Sequence, residues 1–298
     1  MALHKSGFVN IIGKPNVGKS TLMNALVGER MSIITNKPQT TRHRIIGIVS
    51  GDDFQIVFSD TPGVIDSPNY RMQETMNKYA FSAFEDADVM MLVVEWGEIF
   101  PAEHPLFQRL NGLGVPVFLV INKIDLAQEG EIQPFIDQWK ALFGFREIIL
   151  LSALENINID LLKEKVLTYL PEGPEYYPKD QLTDRPERFF VSEIIREKIL
   201  MLYQQEVPYS CEVVTTQFKE ETTTKGQPIV NISAEIYVAR KTQKSILIGK
   251  GGAAIKKLGM EARQSIEAFL ETKVFLELFV KIKENWRDDE RTLKQFGY

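Results

Sequence analysis

The chain has one cysteine, Cys211, in 298 residues, so it cannot close an internal disulfide. A lone thiol fits a reducing cytoplasm and reads as a small buried residue. Histidine is scarce too, and His4, His43 and His104 show no metal-ligand spacing, so no transition-metal site is expected. Long apolar runs are missing: Val89 to Val94 is strand-sized, well short of the ~20 residues of a membrane span. The first strand-like stretch starts so early that no signal peptide is expected. Between Ile236 and Met260 there is no acidic residue at all. These gaps exclude a disulfide-stapled secreted domain, a zinc module and a helical membrane protein.

What is present is an ordinary well-packed composition, 44% hydrophobic and 25% charged, in a chain long enough for two domains. The net charge of −5 is uneven. Residues 1–171 hold 15 Lys and Arg against 20 Asp and Glu, while residues 172–298 hold 20 of each. The acid-free stretch carries Arg240, Lys241, Lys244, Lys250, Lys256 and Lys257, which marks either a local polyanion site or a solvated helix face.

In the first half, strand-like segments at 8–12, 44–50, 54–59, 88–95, 115–121 and 146–151 alternate with helical patterns near 19–27, 71–86, 103–112, 131–143 and 157–169. That alternation predicts a mainly parallel sheet with helices on both faces. Only Gly51-Asp52-Asp53 joins the second and third strands, too short for a crossover, so that pair must be antiparallel. Four prolines between Pro171 and Pro186 read as an inter-domain linker. Beyond it come a helix (189–203), two strands (about 208–220 and 228–240), a short helix, a longer one (253–271), a strand (274–282) and a charged final helix (about 284–296) with Trp286. The expected domains are 1–170, a linker at 171–188, and 189–298.

Gly13-Lys14-Pro15-Asn16-Val17-Gly18-Lys19-Ser20 is a complete phosphate-binding loop, set between a strand and a helix that opens at Thr21. Its backbone N–H groups and the helix N-terminus can wrap phosphates. Lys19 is expected to reach the β- and γ-phosphates and Ser20 to ligate Mg²⁺. Asn122-Lys123-Ile124-Asp125 follows a strand, at the sheet edge where such folds bind ligands. The Asp125 carboxylate can accept from guanine N1–H and its amine, donors that adenine lacks, so the nucleotide is expected to be GTP or GDP. Ser152-Ala153-Leu154 supplies the companion loop. Asp60-Thr61-Pro62-Gly63 ends the third strand, with Asp60 expected on Mg²⁺ through water and the Gly63 N–H on the γ-phosphate. The polar segment from Thr35 to Arg44 is expected to order when one threonine closes on Mg²⁺; Thr41 is the candidate and Thr40 the runner-up.

Together the phosphate loop with Lys14 to Val17, the segment Pro38-Gln39-Thr40-Thr41-Arg42-His43-Arg44 and Asp60 to Val64 resemble the bacterial Era GTPase family, within the translation-factor-related GTPases. The resemblance runs from the first strand to the last helix. It implies a GTPase acting in maturation of the small ribosomal subunit. At the position after Gly63, where many GTPases carry a water-orienting glutamine, stands Val64, which makes no hydrogen bond; slow intrinsic hydrolysis is therefore expected. Lys19, Thr41 and Gly63 are the expected catalytic groups. Asn16 is either a ligand of a K⁺ ion, as in related GTPases, or a residue that stabilises its own loop.

Gly249-Lys250-Gly251-Gly252 lies between two helices in an element order that resembles a KH domain of the bacterial type. Such a glycine turn lets the backbone approach a nucleic-acid chain. Lys244, Gly249, Lys250, Gly251, Gly252, Lys256 and Lys257 are the expected RNA-binding residues. The fold expected overall is an α/β P-loop GTPase domain followed by an α+β KH-type domain. Expected partners are the 3′ end of 16S rRNA and the small ribosomal subunit. The chain is expected to be a cytoplasmic monomer, with peripheral contact at the inner face of the cell membrane as an additional station. Two alternatives are an RNA-binding assembly factor with a structural nucleotide and a signalling GTPase whose second domain binds protein.

Overall fold

The computed structural model describes residues 4–65, 67–128 and 130–298. Their contacts divide into two units. One comprises Met1–Ser32, Thr41–Asp66 and Met76–Asp184; the other comprises Ile33–Thr40, Ser67–Thr75 and Arg185–Tyr298.

The first unit is built on β1 (Lys5–Ile12), β2 (Ile45–Ser50), β3 (Phe54–Asp60), β4 (Val89–Glu95), β5 (Val117–Asn122) and β6 (Glu147–Leu150), in the spatial order β2-β3-β1-β4-β5-β6. Every pairing is parallel except β2 with β3, as the three-residue connection requires. The helices are α1 (Lys19–Val27), α2 (Arg71–Ser82), α3 (Pro105–Asn111), α4 (Ile132–Leu142) and α5 (Ile159–Tyr169). Met90, Leu92 and Val94 of β4 join one apolar cluster with Phe107 and Leu110 of α3 and Phe135 and Trp139 of α4. The alternate residues Met91 and Val93 are buried outside that cluster. Side chains alternate across a strand, so β4 is covered on both faces, which is why its sequence is a continuous apolar run.

The proline-rich stretch after α5 follows this unit closely. Pro171 O accepts from Ser6 N at 3.1 Å, and Leu182 O accepts from Ile48 N at 2.8 Å. The buried Gln55 Oε1 accepts from the N–H groups of Tyr176 and Tyr177 at 2.8 and 3.0 Å. Gln55 Nε2 also donates to Tyr177 O at 2.8 Å, so one glutamine side chain satisfies backbone groups that no strand ladder pairs.

The second unit carries α6 (Glu187–Leu202), β7 (Cys211–Thr222), β8 (Pro228–Val238), α7 (Lys241–Ile248), α8 (Ala253–Leu270), β9 (Lys273–Ile282) and α9 (Glu290–Gln295). Its sheet has the order β7-β8-β9, antiparallel between β7 and β8 and parallel between β8 and β9. Val191, Ile195 and Ile199 of α6 and Leu258, Ala262 and Ile266 of α8 pack with Val213, Ile232 and Ile236 of the sheet. Cys211 is buried in the same cluster. Arg196 is 1% exposed and forms a buried ion pair with Glu193, one turn earlier on α6. Its guanidinium also donates to the Thr40 carbonyl, in a segment of the same unit.

Most elements fall within a few residues of expectation. The final helix does not: it begins at Glu290 rather than near 284, because the Asp289 carboxylate accepts from Thr292 N at 2.9 Å and caps it there. Trp286 precedes the helix and is fully buried, its Nε1 donating to Ser210 O at 3.1 Å. It plugs the core and has no face left for a base. Among the described residues, no helix is long and apolar enough to cross a membrane.

Candidate active site and nucleic-acid interface

Three loops at the carboxyl ends of β1, β3 and β5 converge in the first unit, and close packing explains their glycines. Gly13 has φ 150°, and a Cβ there would lie 2.2 Å from the Val93 carbonyl oxygen. At Gly18, φ 96°, a Cβ would lie 2.2 Å from Asn122 Nδ2. One at Gly63 would meet the Pro15 ring at 2.7 Å. The backbones of the phosphate loop and of the Asp60–Gly63 turn therefore touch where no side chain fits.

Lys19 is 6% exposed and bends over the loop, donating to the carbonyls of Gly13 (3.0 Å) and Lys14 (2.7 Å). Burial lowers its pKa to about 8, with the charges of Asp60 and Glu98 opposing the shift. Ser20 Oγ donates to Asp60 Oδ2 at 2.7 Å and lies 2.9 Å from Thr41 Oγ1. The expected trio of Ser20, Thr41 and Asp60 thus meets at one point. Thr40, by contrast, directs its hydroxyl to the Lys37 carbonyl at 2.6 Å. Asp60 is fully buried and its Oδ1 has no hydrogen-bond partner among the described residues. Burial raises its pKa, and Lys19 is the first influence holding it down. An orphaned carboxylate oxygen beside two hydroxyls is an oxygen-only donor set that suits a hard divalent cation.

The guanine-side loops are stitched to this cradle by one amide. Asn122 Nδ2 donates to Val17 O at 2.9 Å, and its Oδ1 accepts from Ala153 N at 3.0 Å and Lys123 N at 2.8 Å. Asn122 therefore holds the loops together rather than facing outward. Lys123 sits at φ 63°, pairs with Glu95 and donates to Asn16 O at 3.0 Å. Asp125 and Leu154 are exposed at the mouth, and Ser152 and Ala153 are buried behind it. Thr61 is turned inward, its hydroxyl on the Ile11 carbonyl at 2.7 Å, and Pro62 is buried beside it. Asn16 is exposed with φ 66°. Val64 is partly buried. Glu95 and Glu98 were not among the expected residues. Lys14 lies 3.0 Å from Glu98 and 4.4 Å from the centre of the Phe100 ring, so Lys14 and Lys123 are each held by a carboxylate that no motif marks.

In the second unit, α7 ends at Gly249 (φ 72°, ψ 175°), and a single tight turn over Lys250–Gly252 leads into α8. Gly251 and Gly252 are also left-handed, at φ 59° and 79°. Lys250, Lys256 and Lys257 are exposed and Lys244 is half-buried. Lys257 is paired with Glu261 at 3.8 Å, one helical turn on. The turn is the link between helices that the sequence suggests, with a bare backbone and cations around it.

Residues 8–123 match the family model of the 50S ribosome-binding GTPases, and residues 206–287 match that of the KH domain. GTPase Era of Syntrophus aciditrophicus (strain SB) is 46% identical over 297 residues, 99% of this chain and 96% of the relative. The chain belongs to the Era GTPase family. Era of Alkaliphilus metalliredigens (strain QYMF) is likewise 46% identical, over 99% of both chains. Among solved structures, Era in complex with MgGDPNP and nucleotides 1506–1542 of 16S ribosomal RNA superposes with a TM-score of 0.93, at 38% identity and 99% coverage of each chain. A variant of Aquifex aeolicus Era bound to GDP and AlF4⁻ gives 0.92 at the same identity and coverage. The Era family member described here is a GTPase, with a P-loop GTPase fold followed by a KH fold.

Proposed function

We propose that this Era family GTPase hydrolyses GTP to GDP and phosphate to control its grip on the 3′ end of 16S rRNA, and that it acts in building the small ribosomal subunit. The observation that carries the reading is the end-to-end likeness to the Era complex solved with MgGDPNP and 16S rRNA nucleotides. Residues 1–170 are the nucleotide domain, 171–188 the connection and 189–298 the RNA-binding domain. Ser20, Thr41 and Asp60 hold Mg²⁺, whose charge offsets that of the β- and γ-phosphates. Lys19 swings from the Gly13 and Lys14 carbonyls to the phosphates, the Gly63 N–H meets the γ-phosphate, and Asp125 reads the guanine. Val64 leaves the attacking water without a side-chain acceptor, so basal turnover is slow. Asn16 stands either as a K⁺ ligand or as a loop-stabilising residue; turnover in K⁺ compared with Na⁺ separates the two. On the RNA side, Lys244, Lys250, Lys256 and Lys257 supply charge around the Gly249–Gly252 turn. The protein works as a cytoplasmic monomer, with the inner membrane face as a peripheral station.

Support for the switch comes from residue 33 to 40, which cluster with the KH unit while Thr41 remains in the cradle. A ligand that holds Thr41 differently in its two states can bias that segment only through differential contacts. The test is the affinity for an oligonucleotide of the 16S 3′ end, measured with GDP and with a non-hydrolysable GTP analogue. The expected result is at least about tenfold tighter binding in the analogue state, near 1.4 kcal/mol of coupling. Equal affinity in both states would overturn the switch and leave a nucleotide with a purely structural role.

A further inference from the structure

The segment Ile33–Thr40 belongs to the second unit, yet Ser32 and Thr41 on either side of it belong to the first. Each flank is held there by one side chain. On the entry side, Asn24 of α1 closes three hydrogen bonds on the chain that returns after the helix: its Oδ1 accepts from Met31 N (2.9 Å) and Ser32 N (2.8 Å), and its Nδ2 donates to Ser32 O (2.8 Å). Met31, Ser32 and Ile33 are all buried around that amide. On the exit side, Arg44 spans three parts of the fold. Its Nε donates to Ser59 Oγ of β3 at 2.6 Å, and its Nη2 donates to Asn10 Oδ1 of β1 (3.1 Å) and to Asp86 Oδ1 beyond α2 (2.9 Å). Asn10 in turn donates to Ala83 O at 2.6 Å and to the same Asp86 oxygen at 2.7 Å. Asn10 and Ser59 are fully buried.

We propose that Asn24 and Arg44 are positioning residues for GTP: they hinge the segment between two fixed points so that Thr41 is presented to Ser20 and Asp60. Only Arg42 and His43 separate Thr41 from Arg44, at most about 10 Å of chain, so fixing the guanidinium confines the threonine to the neighbourhood of the cation site. A planar fork suits this task, because it meets acceptors on β1, β3 and the α2 end at once, which an ammonium on a flexible stem cannot do. The named partners of both clamps lie outside the phosphate loop and the guanine loops. Their loss should therefore weaken the GTP state, which needs Thr41, and spare the GDP state, which does not. The inference rests on the assignment of Thr41 to Mg²⁺ in the proposed function.

The experiment uses the full chain and compares Arg44→Gln, Arg44→Lys, Asn24→Ala and Thr41→Ala. Affinity for fluorescent GDP and for a non-hydrolysable GTP analogue is measured across a Mg²⁺ titration, with amide exchange over residues 41–44 followed in nucleotide-free protein. Arg44→Gln is expected to lose about tenfold in analogue affinity while GDP affinity stays within about twofold. It should also need more Mg²⁺ to saturate and exchange faster over 41–44, and Arg44→Lys should recover only part of the loss. Equal loss of GDP and analogue affinity, or no loss of either, overturns the clamp. If Thr41→Ala shows no selective loss, the assignment of Thr41 itself fails. A selective loss in Thr41→Ala without one in Arg44→Gln sinks the clamp alone. Should Arg44→Gln fail to fold, Asp86→Asn carries the same expected pattern at smaller amplitude.

Discussion

The two units each present a glycine-rich turn with a lysine at its centre, and the two lysines live in opposite surroundings. Lys19 is 6% exposed, its charge destabilised by burial and steadied by Asp60, with its ammonium laid across two loop carbonyls. Lys250 is exposed, on a turn whose three glycines all have positive φ. The first arrangement is a closed cradle, in which desolvation is already in place and each phosphate contact is worth its full charge-assisted strength. The second is an open edge, where attraction to a phosphate chain is screened by salt and summed over many weak contacts. One site is shaped to hold a small ligand tightly, the other to let go of a large one.

Removing the buried lysine is the strongest way to break this contrast. Lys19→Ala deletes a charge-assisted hydrogen bond to each of the β- and γ-phosphates, at about 1.5–3 kcal/mol each, so affinity for a non-hydrolysable GTP analogue should fall at least about a hundredfold and that for GDP, which offers only the β-phosphate, at least about tenfold. RNA affinity of the nucleotide-free protein should stay within about twofold. Equilibrium titration with the analogue, with fluorescent GDP and with labelled oligonucleotide measures all three. A GDP loss below tenfold would mean that the loop amides alone hold the nucleotide, and the cradle would be no more lysine-dependent than the open turn.

A smaller effect is expected from the mirror experiment in the second unit. Gly249 has φ 72° and ψ 175°, a conformation close to glycine-only, and a Cβ there would lie 2.7 Å from Ala254 Cβ and 3.0 Å from its N. Gly249→Ala should tilt the turn at a cost of about 1–3 kcal/mol and lower RNA affinity about tenfold, with GDP affinity unchanged. An RNA affinity that survives the substitution would move the interface away from the turn and onto the surrounding lysines.

The comparison also shows what kind of feature a sequence displays. The cradle's motifs were legible because each is contiguous: Gly13 to Ser20, Asp60 to Gly63 and Asn122 to Asp125 each carry their chemistry within a few residues. The strands were legible because burial on both faces leaves an apolar run, as in β4. Partners joined only by the fold were not. Glu95 on Lys123, Glu98 on Lys14, and Asp86 with Asn10 on Arg44 pair residues from different strands and loops, and a single carboxylate in a sequence looks the same whether solvated or paired. The C-terminal helix was overextended for a related reason. Helix propensity reads on through Trp286, but Asp289 satisfies the Thr292 N–H and stops the helix, while the Ser210 carbonyl and the core claim the indole.

The finest test of the closed cradle is the response of Lys19 to pH. Lys19 titrates near 8 in the free protein, because burial outweighs the charges of Asp60 and Glu98. A bound phosphate favours the ammonium, so the pKa in the complex must be higher than in the free protein. Linkage then fixes the sign: binding takes up a proton wherever Lys19 is neutral in the free protein and charged in the complex. GDP affinity should be at full strength below pH 8 and fall above it, approaching tenfold per pH unit until the pKa of the complex is reached. GDP is the right probe because its terminal phosphate is already ionised across that range. Titrations at several pH values from 7 to 9 with Mg²⁺ held constant should show this bend. A flat GDP profile would mean that Lys19 is as well solvated as Lys250, and the distinction between a closed cradle and an open edge would rest on glycine geometry alone.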